Sequence, residues 1–261
     1  MPKIWSIQPN FMWLHLGRLL LTLLVWAWVH LPLTWLQLTW LPLWGLVSWL
    51  IFTVRVETAI VKRSVWLAQY LHPHTFWRRR LQLGWLGKLW QLSWAMVLGL
   101  LLVLELLTAP TWLGWLLLAS VPVLGVWERL WQRWLTARVQ ADYWHFLVRR
   151  FSVGCSLPII LVALVLIKIH QAQPWLIGLS WHQALNLQLS LPGQQGLLPA
   201  LLRLSQSMDL TWHWLLQNTF GATTTSCGWL VVLWCGLFVV QAAFCLAWLQ
   251  MLSAGQRLVK V

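Results

Sequence analysis

Acidic residues are nearly missing from this chain. Only Glu57, Glu105, Glu128, Asp142 and Asp209 carry a carboxylate, and all charged residues together make up 9% of the 261 residues. An ordinary soluble domain carries roughly a quarter. So little charge cannot keep a chain with 60% hydrophobic content dissolved as a water-soluble fold, and lipid is the economical cover for that much apolar surface.

Catalytic signatures are missing as well. No P-loop, GxGxxG, HExxH, GxSxG or paired-carboxylate spacing occurs, so the chain is read as non-enzymatic, with no catalytic or cofactor-binding residue. The four cysteines include no CxxC. Cys155, Cys235 and Cys245 lie in apolar runs as small hydrophobes, and Cys227 stands alone near the outer surface, so no disulfide framework is expected. His72 and His74 flank Pro73 without a third ligand, which argues against a metal site. Haem ligation would need facing histidines at both depths of His15 and His30; His170 could serve the outer level, but His145 lies beyond the end of its span. No cofactor is expected.

What is present is apolar length. Runs long enough to cross a bilayer, about 17 to 25 residues each, occur at Leu16 to Leu33, Leu36 to Val54, Trp90 to Thr108, Thr111 to Trp127, Val153 to Ile169 and Gly228 to Leu249. None alternates with period two, so barrel strands are unsupported and helices remain. The expectation is an all-α integral membrane protein with about six transmembrane helices, a multi-pass protein of the bacterial inner membrane. Lys3 precedes the long apolar run from Leu19, Arg18 directly abuts it and no small-x-small cleavage site follows, as in an uncleaved signal anchor.

The net charge of +13 is distributed by side of the membrane. With the N-terminus inside, Lys3, Arg18, Arg55, Lys62, Arg63, Arg78, Arg79, Arg80, Lys88, Arg129, Arg133, Arg138, Arg149, Arg150, Arg257 and Lys260 are cytoplasmic, leaving Lys168 and Arg203 outside. That is the positive-inside pattern, in short loops rather than the continuous basic face that nucleic acid requires. Nucleic acid is therefore not an expected partner. The 26 tryptophans follow the same map. Trp35, Trp40, Trp112, Trp115, Trp175, Trp181, Trp212 and Trp214 form an outer belt, and Trp66, Trp77, Trp85, Trp90, Trp127, Trp131, Trp134 and Trp144 an inner one, where an indole is half buried with its N–H wet.

Four regions follow. Residues 1–54 form an N-terminal transmembrane hairpin, and 55–89 a cytoplasmic interfacial segment with Trp77, Leu81, Trp85 and Leu89 at i, i+4 spacing. Residues 90–151 form a second hairpin with a cytoplasmic extension, and 152–261 hold helices five and six around an outer loop, 170–226. At an offset of 80 the hairpins share Trp35 with Trp115, Pro42 with Pro122 and Gly45 with Gly125, a faint repeat. In the outer loop, Ala184 to Leu191 alternates like a half-buried strand, Leu197 to Trp214 has a helical pattern, and the two read as a small cap.

Two groups of residues are candidates for function. Glu105 is the only acid inside a span, at a depth comparable to His30, Lys168 and His170, so these four define an intramembrane polar cluster. A structural ion pair is its plain reading and a proton or cation relay the sharper one. Arg78, Arg79 and Arg80 lie where anionic headgroups would be, which attract each clustered basic residue by about 1 kcal/mol. The expected partners are the lipid bilayer, its anionic lipids, and membrane or cytoplasmic proteins. With so poor a polar inventory, a scaffold or assembly subunit of a membrane complex is the leading functional expectation, and a permease using Glu105 and Lys168 the alternative. A reporter active only in the periplasm should work when fused after Gln194 and stay silent at Val261; the reverse result would overturn the topology and every depth assignment above.

Overall fold

In lipid, a helix is the only local structure that satisfies its own backbone, and the computed structural model is helical in every element. It describes residues 9–70, 84–108, 110–136, 138–139, 141–170, 175–188, 196–221 and 227–258. The helices are α1 (Pro9–Val29), α2 (Leu33–Tyr70), α3 (Trp85–Thr108), α4 (Trp112–Leu135), α5 (Ala141–His170), α6 (Trp181–Gln188), α7 (Leu197–Gly221) and α8 (Cys227–Leu258). Four stretches, Leu33–Tyr70, Trp85–Thr108, Trp112–Leu135 and Tyr143–Ile167, are long and apolar enough to cross a membrane. In α1 and α8 the apolar stretches among the described residues, His15–Val29 and Phe238–Ala254, are shorter. Pro42, Pro122 and Pro158 lie inside α2, α4 and α5, as is tolerated where neighbouring helices accommodate the freed backbone groups.

The centre of the bundle is α8, the last of the described helices. From Gln241 to Ala254 most of its residues are buried, with Phe244, Trp248, Met251 and Leu252 at 1% exposure or less. A helix buried on all sides belongs in a core, and α1, α2, α3, α5 and α7 all pack against it. Its side chains join Val47 and Ile51 of α2, Leu98 and Leu102 of α3, Leu117 and Leu124 of α4 and Leu164 of α5 in one cluster. The Trp248 Nε1–H donates to Ser120 Oγ of α4 at 2.9 Å, which answers the one polar atom of that indole.

After α1 and α3 the chain makes short turns, with Trp35 N–H bonded to the Pro32 carbonyl and Leu113 N–H to that of Pro110. Beyond those turns the helices find other neighbours. The most extensive packing is α2 on α3 and α4 on α5, and α1 lies along α4 and α8. Two glycines of α4 allow that approach, since a Cβ at Gly114 would overlap the Trp26 indole and one at Gly125 the His15 ring. Gly45, the counterpart of Gly125 in the 80-residue offset, faces open space, so the shared residue does different work in each hairpin.

Two expectations are corrected. The segment from Arg55 to Tyr70 is not a separate interfacial piece but the continuation of α2, a single helix of 38 residues. Trp85 and Leu89 likewise belong to the first turns of α3, while Arg78, Arg79, Arg80, His72 and His74 lie outside the described residues. No residue between Val54 and Tyr70 is a helix breaker, so the helix runs on past the apolar stretch. The second correction concerns the outer loop. Ala184 to Gln188 is helix, not strand, and no strand occurs among the described residues. A lone strand would leave its backbone unpaired, whereas Ser180 and Gln183 form a capping box. Gln183 N–H donates to Ser180 Oγ at 3.4 Å, and Ser180 N–H to Gln183 Oε1 at 3.0 Å.

The described parts of that loop pack on each other. Leu176, Ala184 and Leu210 form its core, and α7 grips the 175–180 loop with polar side chains. Leu176 N–H donates to Gln217 Oε1 at 2.7 Å, Gly178 N–H to Asn218 Oδ1 at 3.1 Å and Trp214 Nε1–H to the Leu179 carbonyl at 2.8 Å. Gly178 has φ +81, a left-handed backbone that suits glycine in that gripped turn. On its other face α7 places Leu198 and Leu202 against Leu36 and Trp40 of α2, so the cap is seated on the bundle. Replacing both Ser180 and Gln183 by Ala should cost α6 about 1 kcal/mol, read as faster amide hydrogen exchange at 181–184 with α4 unchanged. Unaltered exchange there would show that the box does not hold the helix start.

Candidate functional site

Arginine at the start of an apolar run reads as a topology signal, yet Arg18 is 2% exposed and faces into the bundle. Its guanidinium meets Glu128 of α4 in a two-pronged bond, NH1 to Oε2 at 2.6 Å and NH2 to Oε1 at 2.7 Å. The remaining Nε–H donates to the Leu252 carbonyl of α8 at 3.1 Å. Both side chains are essentially inaccessible. The planar fork matches a carboxylate in geometry as well as charge, which Lys could not do, and with three donors placed on two helices it joins α1, α4 and α8 at one point.

Two more joints lie among the residues assigned to the cytoplasmic side. Arg149 of α5 meets Glu57 of α2 at 2.5 Å. Arg55 of α2 donates from Nε to Gln91 Oε1 of α3 at 3.1 Å and lies over the Trp94 ring at 5.9 Å. These contacts tie the extended end of α2 to its neighbours.

The predicted outer cluster is partly described. Glu105 accepts from Gln241 Nε2 of α8 at 3.5 Å, and Gln241 is itself 2% exposed. His30 sits in the turn that ends α1, edge-on to Trp26 with ring centroids 5.5 Å apart. It lines a cavity of about 20 Å³ with Trp26, Val29, Leu106, Pro110 and Leu113, room for about one water. Lys168 and His170 occupy the last turn of α5, and their side chains lie outside the described residues. Gln241 is the partner that the sequence reading of Glu105 missed.

The Arg18–Glu128 pair was missed too, although a signal existed. Under the six-span map, Arg18 directly abuts span one and Glu128 lies at the end of span four, so the two fall at the same inner depth. In a chain with five acids, an acid beside a span on the same level as a lone arginine is a pairing candidate. The chain matches no known protein family, no curated protein and no solved structure.

Removing one member of a buried pair strands the other, at roughly 3 to 5 kcal/mol. Arg18→Met or Glu128→Leu alone should therefore lower the melting temperature in detergent strongly, while the double substitution should recover much of the loss. Additive losses would show that the two side chains do not depend on each other.

Proposed function

We propose that this chain is a six-span protein of the bacterial inner membrane, with both ends cytoplasmic, that acts as a non-enzymatic scaffold or assembly subunit of a membrane complex. The observation that carries the reading is the use of Arg18 and Glu128. The two most deeply buried charges among the described residues are committed to each other and to a main-chain carbonyl, where they hold three helices together. Charges arranged to move a solute would face a water-filled path. Here they make a rigid frame. Counting α1, with 21 residues, and α8, with 32, as spans is supported by their lengths, since about 20 helical residues cross the hydrocarbon core.

A frame of this kind presents its outer faces to lipid and to neighbouring chains. Leu38, Trp49 and Trp35 of α2 are 71%, 60% and 58% exposed. The permease reading rests on the Glu105–Gln241 contact, which places a carboxylate and an amide together in the bundle.

One comparison separates the two. Purification in mild detergent followed by cross-linking and mass spectrometry should recover a stoichiometric protein partner, and proteoliposomes should show no solute- or proton-dependent flux. Glu105→Gln should then leave partner recovery unchanged. A monomer that carries flux, with that flux abolished by Glu105→Gln, would replace the scaffold reading by the permease.

A further inference from the structure

The corner between α4 and α5 holds an aromatic and cationic cluster that none of the structural joints uses. Trp131 stacks on Phe151 of α5 with ring centroids 4.8 Å apart, and Trp134 lies edge-on to Trp131 at 5.6 Å. Arg138, in the connection between the two helices, holds its guanidinium over the Trp134 ring at 4.2 Å. Trp134 and Phe151 are exposed, as are Arg133, Arg138 and Arg150.

Two polar atoms of the corner are left over. The indole N–H groups of Trp131 and Trp144 are buried and donate to no acceptor among the described residues. Trp144 lies two helical turns before Phe151, hence on the same face of α5. A buried donor without an acceptor is destabilising. Indoles in such a corner favour the membrane interface, where the ring is half buried.

The charge balance points the same way. Between Arg129 and Arg150 the only acid in the sequence is Asp142. Glu128 is taken by Arg18 and Arg149 by Glu57, which leaves Arg133, Arg138 and Arg150 as a cationic group beside exposed aromatic rings.

We propose that the α4–α5 corner is a binding site for an anionic phospholipid, with the phosphate held by Arg138 and Arg150 and the glycerol and upper acyl region lying on Trp134 and Phe151. The ligand chemistry follows from the two halves of the corner. A phosphodiester supplies the charge and acceptor oxygens, and the attached chains cover rings that stand in the interface. A guanidinium stacked on an indole presents its N–H edges sideways, which suits a phosphate approaching from the rim of the ring. An acidic segment of a cytoplasmic protein would use the same charges, but it would not require the lipid-facing rings.

The test uses the full chain in neutral detergent, with phosphatidylglycerol, cardiolipin and phosphatidylcholine titrated separately and followed by native mass spectrometry. Anionic lipids should be retained and phosphatidylcholine not. Arg138→Gln and Arg150→Gln should each weaken retention roughly fivefold, the equivalent of about 1 kcal/mol per charge, whereas Arg138→Lys, which keeps the charge, should stay close to the parent. Trp134→Leu should weaken retention although it removes no charge. The melting temperature of each variant in lipid-free detergent should match the parent, and Arg138→Lys serves as the folding control if Arg138→Gln does not. Equal retention of anionic lipid by parent and by the Arg138→Gln, Arg150→Gln double variant would overturn the proposal. So would a Trp134→Leu variant that binds lipid normally while either Arg→Gln change abolishes recovery of a protein partner.

Discussion

A charge inside a lipid-embedded bundle has to be answered by the protein itself, and the Arg18–Glu128 pair is where this chain meets that constraint. Replacing a buried pair with apolar side chains of similar volume is often neutral or stabilising, so stability alone does not account for the arrangement. Its stronger consequence is register. The fork closes only when α1, α4 and the Leu252 carbonyl of α8 share one depth and rotation. Gly125, one turn before Glu128, takes the His15 ring against its backbone, and this close approach brings α1 near enough for Arg18 to reach. A larger residue at Gly125 would act on the ion pair without touching either partner.

The position of α8 gives that register a temporal side. The central helix is synthesised after the helices it packs against, yet Phe244, Trp248 and Leu252 fill the space that α2, α3, α4 and α5 surround. The earlier helices can insert separately, because each satisfies its own backbone in lipid. They cannot complete their common core until α8 enters. Until then Arg18 lacks the Leu252 carbonyl and Ser120 lacks the Trp248 indole. The same polar atoms that specify the final packing therefore mark the step at which it closes.

The sequence was legible where one physical demand dominated. Lipid demands apolar length, and the helices of the four longest described spans, α2 to α5, all overlap expected ones. It was less legible where two demands competed. The alternation of Leu185 and Leu187 with Asn186 and Gln188 suggests a strand, but the box of Ser180 and Gln183 caps a helix, and with no partner strand among the described residues the helix wins. Of the candidate site, Glu105 was identifiable from scarcity and depth, but Gln241 was not. An amide in an apolar run carries no charge signal, and its importance appears only when α8 is found at the centre. Arg18 was counted for its side and misread in role, because charge counting treats every flanking arginine as solvated.

The shortage of acids and the surplus of cations are two parts of one design. Glu57 and Glu128 each join helices through an arginine, Glu105 meets an amide from the central helix, and Asp209 lies 3.7 Å from His213 on α7. Four of the five acids thus make contacts within the fold. The 18 Lys and Arg residues far exceed what those acids can neutralise. An excess of that size on a soluble protein would act as a long-range field. On membrane proteins such an excess generally gathers at the headgroup level, where basic residues orient the chain and are attracted to anionic lipid. Added acids near these joints would offer Arg18 and Arg149 competing partners. The low acid content therefore keeps each internal pairing unambiguous.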